Sequence, residues 1–503
     1  MARFQEPDSD QSQIVVLNFD ELFPPEHFVP RLLNTIRELD LSAFDGSYEN
    51  DRTGRPALPP DRVLAVLIYS LLNGNISMRN LEREMRQKAD LMYLSGGAVF
   101  DHSSLSRFRT RHADAIQSLF SQTVFLGIEG GFINLEHVAI DGTGIKASAS
   151  RNAIGTREEL ERRYLAVQQA CEKRHRQWME SEDESEESEQ LERLEKLEQQ
   201  EERLAKGFEF LKDKPSRKRV HLTDPDADWH RNGQKGLIVG YSAQNAVDTS
   251  SGMIVHQTVV TQQGDSRHAM EIVEAIEDLR AQAEIECRPK YLLDAGYSSE
   301  DNLRALSQYD LFMPDREKVH LERLGSEAAT SEDMLRFEYQ PEEDAFICPE
   351  GERLFFQKEQ TFARNVPYRL YRRTGCRGCP LNDACTSPTR NQKVIAVAAD
   401  QLSKSRVKYV EPFGGGGRTR STGKPLTLEM RTKLSAPEGR ATYRKRNIVE
   451  GVFAAMKHAR GGDRFLRRTL ERVAVEWAER CIAHNLARLL GYTRLDPLSP
   501  KLS

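Results

Sequence analysis

The middle of the chain contains apolar segments in an order that restricts the fold more than any other feature of its 503 residues. HVAIDGTGIK, GYSAQNAVD and MIVHQTVVT predict three strands, and a turn at residues 248–252 joins the last two. SRHAMEIVEAIEDLRAQ then predicts an amphipathic helix, and KYLLDAGYSS predicts a fourth strand. The order strand, strand, strand, helix, strand predicts an α/β domain.

Two of these predicted strands run into an acidic residue. Asp141 and Asp294 each follow a short apolar stretch, and a small-residue turn containing Gly142 or Gly296 comes next. Both carboxylates would therefore project from strand ends, where one sheet could deliver them to the same point. Taken alone, each aspartate is also explained as a turn former or a helix cap.

The segment TYRKRNIVEGVFAAMK places Tyr443, Arg446, Glu450 and Lys457 at offsets that return to one side of a helix. At ~100° per residue the four side chains fall within about 60° of each other, over roughly 20 Å of a single helix. This face carries a phenol, two cations and one carboxylate, which suits a polyanion beside a metal ion. The neighbouring sector is apolar and predicts a buried, rigid helix, through Val449, Val452, Phe453 and Met456.

These motifs resemble the DDE transposases of bacterial insertion sequences, in the branch whose third acidic residue lies in a Tyr-x2-Arg-x3-Glu-x6-Lys signature. The resemblance covers most of the chain and includes the closing helix around IAHNLARLL. It implies a ribonuclease H-like catalytic domain with Asp141, Asp294 and Glu450 as the acidic triad. It also implies that Tyr443, Arg446 and Lys457 contact phosphates or a displaced base near the transposon end.

The implied reaction explains these residue types. Two metal ions ~3.5 to 4 Å apart can activate an oxygen nucleophile and stabilise the leaving oxygen of a phosphodiester. Carboxylates are the ligands that Mg2+ or Mn2+ prefers, so the triad predicts a two-metal site. The chain is then a transposase that cuts its element's ends and joins them to target DNA. Two alternatives stay open: a domesticated or inactive descendant that only binds DNA, and a metal-dependent nuclease without strand transfer.

The amino-terminal region predicts helices from RVLAVLIYSLLNG, SMRNLEREMRQ and SSLSRFRTRHADAIQSLF. The third begins with His102, Ser103 and Ser104 as candidate caps. It resembles the recognition helix of a helix-turn-helix that reads transposon ends, through Arg107, Arg109 and Arg111. A purely structural helical cap is the alternative.

Net charge is only −5, yet the charges are segregated along the chain. The basic stretches RTRSTGKPLTLEMRTKLSAPEGRATYRKRN and RGGDRFLRRTLER favour DNA, because binding follows the local field and not the total charge. A solvated face explains such runs equally well. The predicted partners are double-stranded DNA in the form of terminal inverted repeats and target, and a second copy of the chain on that DNA.

Residues 156–210 are rich in Glu, Leu, Lys, Arg and Gln and predict a helical hairpin inserted in the catalytic domain. Its leucines are compatible with a helical seam, and residues 181–188 predict a flexible polar tip. The hairpin either makes dimer contacts or is simply solvated. The proposed seam residues are Leu191, Leu194, Leu197 and Leu204.

Four of the seven cysteines are clustered in a β-rich stretch, at Cys348, Cys376, Cys379 and Cys385. A Cys-x2-Cys pair near two further thiols predicts a tetrahedral structural Zn2+ site in a small insert that lacks its own core. Reduced buried cysteines or a redox pair are the alternatives. The absence of a signal peptide or long apolar span in this sequence predicts a cytoplasmic bacterial protein, associated with the nucleoid when bound.

The loop in HLTDPDADWHRNGQKGLIVGY precedes a strand, and it lacks the Gly and terminal Glu of an EF-hand calcium loop. The GGGG run at 414–417 predicts a flexible link, since no Walker Lys-Ser/Thr follows it, and no nucleotide cofactor is expected. The predicted domains are a helical DNA-binding domain at 1–125, a catalytic domain at 126–315 and 425–495, the hairpin at 156–212, and a zinc-binding insert with a basic linker at 316–424.

Overall fold

A computed structural model describes the greater part of the chain. The described ranges are 17–46, 57–74, 77–150, 153–179, 184–215, 217–231, 236–261, 268–314, 337–348, 350–362, 366–380, 392–398 and 425–492. The chain forms two compact units, the first made of Met1–Asp265, Glu271–Leu292 and Lys445–Ser503 and the second of Ser266–Met270 and Leu293–Arg444. Among the described residues, no helix is both long and apolar enough to cross a membrane.

The first unit begins with helices, and α4 is buried over most of its length because its sequence is apolar on nearly every side. The segment predicted as one helix from Ser103 onward is two, since α7 ends before His112 and α8 starts after it. The helices are α1 (Phe19–Leu22), α2 (Phe28–Glu38), α3 (Ser42–Asp45), α4 (Pro60–Leu72), α5 (Met78–Glu84), α6 (Ala89–Ser95), α7 (His102–Arg111) and α8 (Ala113–Glu129).

A mixed α/β core follows, in which β5 is the central strand of the first unit. β5 pairs with β1 along one edge and with β4 and β6 along the other, always antiparallel, and β7 lies beyond β1. β5 is buried from Ile238 to Asp248, although this stretch includes polar residues at Ser242, Gln244, Asn245 and Asp248. The elements are β1 (His137–Lys146), β4 (Asp228–Arg231), β5 (Leu237–Asp248), β6 (Ile254–Val260), α11 (Ala269–Gln282) and β7 (Lys290–Leu293).

The helical hairpin consists of α9 (Arg157–Met179) and α10 (Glu184–Asp213), with β2 (Ile154–Thr156) and β3 (Arg219–His221) paired at its base. Leu204 and Leu160 form a buried core between the helices, and Leu197 packs against it. Leu191 is 43% exposed, so the predicted seam does not reach this position. Residues 184–188 of the predicted polar tip are helical, because α10 already begins at Glu184.

The first unit ends with α15 (Asn447–Ala454), a π-helical turn (Ala455–Ala459) and α16 (Leu470–Leu489). α16 runs through the core, where Trp477 is fully buried and donates from Nε1 to Oδ1 of Asn245 in β5 at 3.0 Å. Asn485 binds both backbone groups of Ile254 in β6, at 2.8 Å each. These buried hydrogen bonds fix the register between α16 and the sheet.

The second unit contains a five-stranded antiparallel sheet in the order β13-β12-β11-β10-β9. Phe346 and Tyr371 lie buried in it and make an edge-to-face contact with centroids 4.8 Å apart. Its elements are α12 (Glu300–Ala305), β8 (Asp310–Phe312), β9 (Glu338–Gln340), β10 (Ala345–Ile347), β11 (Arg353–Phe362), β12 (Val366–Thr374), β13 (Gln392–Ala398), α13 (Pro425–Ser435) and α14 (Pro437–Arg444). Cys385 and the 414–417 glycines lie outside the described residues.

The predicted single helix from Tyr443 to Lys457 is wrong. α14 ends at Arg444 and α15 begins at Asn447, and the junction is tightened by i→i+3 bonds such as that from the N–H of Val449 to the carbonyl of Arg446, at 3.1 Å. The π-helical turn then widens the winding, with an i→i+5 bond from Arg460 to Ala455 at 3.2 Å. A spacing argument that assumes 100° per residue cannot include either change.

Candidate functional site

Asp141 lies within β1 and not at its end, which corrects the sequence prediction. The strand continues through Gly142, which pairs with Gln244 of β5 and would overlap the Gln244 side-chain amide if it carried a Cβ. The glycine therefore leaves room for the Gln244 side chain beside the strand and does not form a turn. Asp141 points its carboxylate back to its own strand, where Oδ1 accepts from the N–H of Gly142 at 2.8 Å.

Arg446 joins two of the predicted acidic residues. Its Nη1 lies 3.2 Å from Oε1 of Glu450 and 3.6 Å from Oδ2 of Asp141. The guanidinium side chain is only 9% exposed, whereas the Glu450 side chain is 65% exposed and that of Asp141 is 17% exposed. A buried cation thus lies between a sheltered carboxylate and an open one.

Lys457 approaches the same strand from the π-helical turn. Its Nζ donates to the hydroxyl of Thr143 and to the carbonyl of Gly144, the latter at 3.0 Å. Both acceptors follow Asp141 directly along β1. Three of the four signature residues therefore converge on one short stretch of β1, although no continuous helix carries them.

Asp294 and Tyr443 belong to the second unit. Asp294 follows β7 directly, as predicted, and its Oδ2 lies 3.4 Å from the N–H of Gly296 in the turn that comes next. Tyr443, in α14, donates from its hydroxyl to the carbonyl of Leu293 at 3.3 Å. The phenol is therefore hydrogen-bonded next to Asp294, and the place of Asp294 in a triad stays a prediction.

The three arginines predicted to read DNA from α7 have different environments. Arg107 and Arg111 are exposed. Arg109 is buried and forms an ion pair with Glu479 of α16, so its predicted DNA contact is wrong. Three arginines spaced at i, i+2 and i+4 cannot all face one side of a helix, and here the middle one points into the core.

The amino-terminal cap of α7 is Asp101 and not His102, Ser103 or Ser104. Its Oδ2 accepts from the backbone N–H groups of Ser103 and Ser104 at 3.1 and 3.0 Å. Glu82 of α5 accepts from the backbone and from Nδ1 of His102, at 3.1 and 2.8 Å. Asp101, His102 and Glu82 bring ligand atoms within 4.8 Å of one another, and this group ties α5 to the start of α7.

Sequence reasoning missed the role of the aspartates in the DPDAD loop. Asp224 accepts from the N–H of Thr469 at 2.9 Å, and Asp226 accepts from the N–H of Leu470 at 3.0 Å. These two N–H groups are among the unpaired donors at the start of α16. The two aspartates therefore cap a helix that is distant from them in the sequence. The only signal for this in the sequence was that two acidic residues precede a strand without forming a calcium loop.

The second unit holds two tight turns that carry cysteines. The N–H of Gly351 donates to the carbonyl of Cys348 at 2.8 Å, and the N–H of Cys379 donates to that of Cys376 at 3.2 Å. Burial raises the pKa of the Cys376 thiol, and nearby Cys379 and Cys348 act in the same direction against the lowering effect of Arg373. Thiols with raised pKa values need a strong cationic partner to become thiolates.

The carboxylates of the first unit fit a hard divalent cation by their donor chemistry. Asp141 and Glu450 offer oxygen ligands on either side of one guanidinium, and the Glu450 group is open to solvent. Arg446 now neutralises part of their charge, as expected where two like charges share a site.

Comparison with known proteins gives two family matches. A model described as a transposase DDE domain matches residues 134–486, and a model described as a transposase domain matches residues 17–111. No curated protein and no solved structure matches the chain.

Proposed function

The chain belongs to the DDE transposase family, which acts on DNA with divalent metal ions, and we propose that it cleaves the ends of an insertion sequence and joins them to target DNA. The observation that carries this proposal is the Asp141–Arg446–Glu450 arrangement. Arg446 and Glu450 are an i, i+4 pair, whereas Asp141 lies far from both in the chain, and neither capping nor turn formation explains its contact with Arg446. The proposed fold of the catalytic part is ribonuclease H-like, with the strand order of the first unit as support.

Asp141 and Glu450 would hold the metal ions, and Asp294 would complete the acidic triad. Bound Mg2+ or Mn2+ would polarise the scissile phosphate and lower the pKa of the attacking water. Glu450 is the open ligand, and Asp141 is fixed by its hydrogen bond to Gly142. Arg446 would leave the carboxylates when metal arrives and turn its donors toward a phosphate oxygen, for which its planar fork is suited.

Lys457 and Tyr443 would position the DNA strand. Lys457 is held by Thr143 and Gly144, which keeps one cation beside the Asp141 strand. Tyr443 would offer a phenol at the end of β7. Such fixed donors stabilise charge that develops in the transition state.

Several further assignments belong to the same proposal. Cys348, Cys376, Cys379 and Cys385 would bind a structural Zn2+, and the two cysteine turns support this. Arg107 and Arg111 on α7 would contact the transposon end, in a helical DNA-binding domain within residues 1–125. A dimer on paired ends and the insert boundaries at 156–212 and 316–424 are part of the proposed organisation.

The test is Mg2+-dependent cleavage and joining of DNA that carries the sequence flanking the gene. We expect Asp141→Asn, Asp294→Asn and Glu450→Gln to abolish cleavage and to leave end binding unchanged. Glu136→Gln is the matched control, because its carboxylate side chain is 65% exposed at the start of β1 and outside the site. A carboxylate variant that still cleaves at the native rate would lose its place in the triad.

The same assay separates the alternatives. Specific binding without cleavage by the native chain would favour a DNA-binding descendant. Cleavage without any joined product would favour a nuclease. Cleavage followed by joining at a 3′-hydroxyl is the result expected of a transposase.

A further inference from the structure

Residues 463–469, which precede α16, form a bent segment in which exposed side chains alternate with more buried ones. Arg464, Leu466 and Arg468 are exposed, with Leu466 at 41%. Phe465 between them is fully buried. We call this segment the 463–469 ridge. An exposed leucine between two exposed arginines on such an alternation is a surface feature and not part of the core.

The inner side of the ridge is fixed by packing and by buried charges. Phe465 makes edge-to-face contacts with Tyr241 and Trp477, at centroid distances of 5.9 and 6.1 Å. Glu476 accepts from the backbone N–H groups of Leu466 and Arg467, at 3.1 and 2.9 Å. Because Glu476 and Trp477 are buried in α16, the outward side chains stand on a rigid base.

Both ends of the ridge are also held. At the start, Lys146 of β1 donates its N–H to the carbonyl of Asp463 at 3.2 Å and accepts from the N–H of Phe465 at 2.8 Å. The ridge thereby lies beside the end of the strand that carries Asp141, where Arg464 and Lys146 form a parallel bridge. At the other end, Thr469 has φ of +72°, which a β-branched residue rarely adopts, and Asp224 fixes its N–H at 2.9 Å. Strain kept by surrounding contacts is characteristic of functional segments.

The outward charge of the ridge is not neutralised. Within the described part of the chain, no acidic side chain forms a salt bridge with Arg464 or Arg468. The guanidinium of Arg468 donates from Nε to the carbonyl of Ser148 at 3.0 Å, which orients it and keeps its charge. Two exposed cations that flank an exposed apolar side chain match a DNA groove, in which two phosphate backbones border the edges of the bases.

We propose that the 463–469 ridge binds duplex DNA across the minor groove, with Arg464 and Arg468 on the phosphates and Leu466 wedged against the base steps between them. This inference rests on the proposed function of the Asp141 site. Lys146 lies five positions after Asp141, or about 17 Å along an extended strand. The wedge therefore acts about five base pairs from the scissile phosphate, at 3.4 Å per pair. Arginines beside an inserted apolar side chain are what minor-groove proteins use to unstack a step.

The test uses the full chain with Glu450→Gln, so that DNA stays intact, and element-end duplexes carrying 2-aminopurine either five or fifteen base pairs from the cleavage position. We expect binding to raise fluorescence severalfold at five base pairs and not at fifteen. Leu466→Ala should abolish that rise while changing affinity less than about threefold. Arg464→Ala with Arg468→Ala should weaken binding at least tenfold and reduce the salt slope by about two.

Leu191→Ala with Arg203→Ala on the hairpin is the matched control, since both side chains are exposed far from α16 in sequence, and it should bind and unstack like the parent. Ridge variants that bind and unstack like the parent would overturn the inference. Cleavage by the native chain in Mg2+ is measured separately and decides only the proposed function. If the native chain does not cleave but the fluorescence rise depends on Leu466, the proposed role of the ridge is supported and the proposed transposase activity is rejected.

Discussion

Nε of Arg109 in α7 donates to both carboxylate oxygens of Glu479 in α16, at 2.7 and 2.9 Å. The side chains are 6% and 4% exposed. This buried ion pair connects a helix of the amino-terminal region to the last helix of the chain, so Arg109 holds the structure and is not available to DNA.

Replacing one partner of this pair should leave an uncompensated buried charge. We expect Arg109→Met to lower the free energy of unfolding by about 3 to 5 kcal/mol. Urea unfolding of Arg107→Met provides the control, since an exposed arginine on the same helix should cost no more than about 0.5 kcal/mol. Equal losses in both variants would show that the ion pair is not the source.

Arg446 should oppose metal binding and promote cleavage, because it lies against both carboxylates. We expect Arg446→Ala to bind Mn2+ about 3- to 10-fold more tightly, which corresponds to about 1 kcal/mol for a partly buried ion pair. Cleavage should slow by about 100-fold or more, since a donor to the phosphate is lost. Titration calorimetry and single-turnover cleavage measure the two effects. Arg444→Ala serves as the control, and weaker Mn2+ binding by Arg446→Ala would contradict the prediction.

Because of His221, we expect the folded protein to lose stability in mild acid. Its Nε2 donates to the carbonyl of Ser150 at 2.7 Å, and its Nδ1 accepts from the N–H of Thr223 at 3.1 Å, so the ring is neutral in this geometry. Burial lowers its pKa below the ordinary 6.5. Below pH 6.5 the unfolded chain therefore binds more protons than the folded one. The stabilising contribution of the neutral His221 is fully present above pH 6.5 and is lost as the pH falls through that value.

We expect the free energy of unfolding to decrease from pH 7.5 to pH 5.5, with His221 contributing up to about 1.4 kcal/mol per pH unit. Burial lowers the pKa values of His112, His137 and His256 in the same direction, so His221→Gln should reduce the slope without removing it. Urea titrations at several pH values check this. A slope that is unchanged in His221→Gln would assign the effect to the other histidines.

The cysteine turns predict bound zinc. We expect purified protein to contain about one Zn2+ per chain by elemental analysis, and we expect Cys376→Ser to lose it and to melt at a lower temperature. Cys287→Ser should retain the metal, because Cys287 lies in the first unit, where its Sγ donates to the carbonyl of Asn134 at 3.2 Å. Zinc-free native protein would favour reduced buried cysteines.

Local patterns predicted much of the fold. The apolar alternation in GYSAQNAVD and the period of SRHAMEIVEAIEDLRAQ predict β5 and α11, since both depend on near neighbours. The structure places Arg446 against Asp141 and Glu450 and places Lys457 against Thr143, although the predicted single helix was wrong. Side-chain contacts between distant segments could not be predicted, because nothing near Arg109 or Asp224 in the sequence marks its partner in α16.

The Asp224 and Asp226 caps also have a consequence for how the protein is made. The chain emerges from the ribosome with its amino terminus first, and its domains fold in the same order. Both acceptors are therefore synthesised long before Thr469 and Leu470, and α16 can be capped as soon as it leaves the exit tunnel. In a nascent chain that lacks the loop after the hairpin, the N–H groups of Thr469 and Leu470 would lack these acceptors. Chaperones and proteases would then recognise that intermediate more readily.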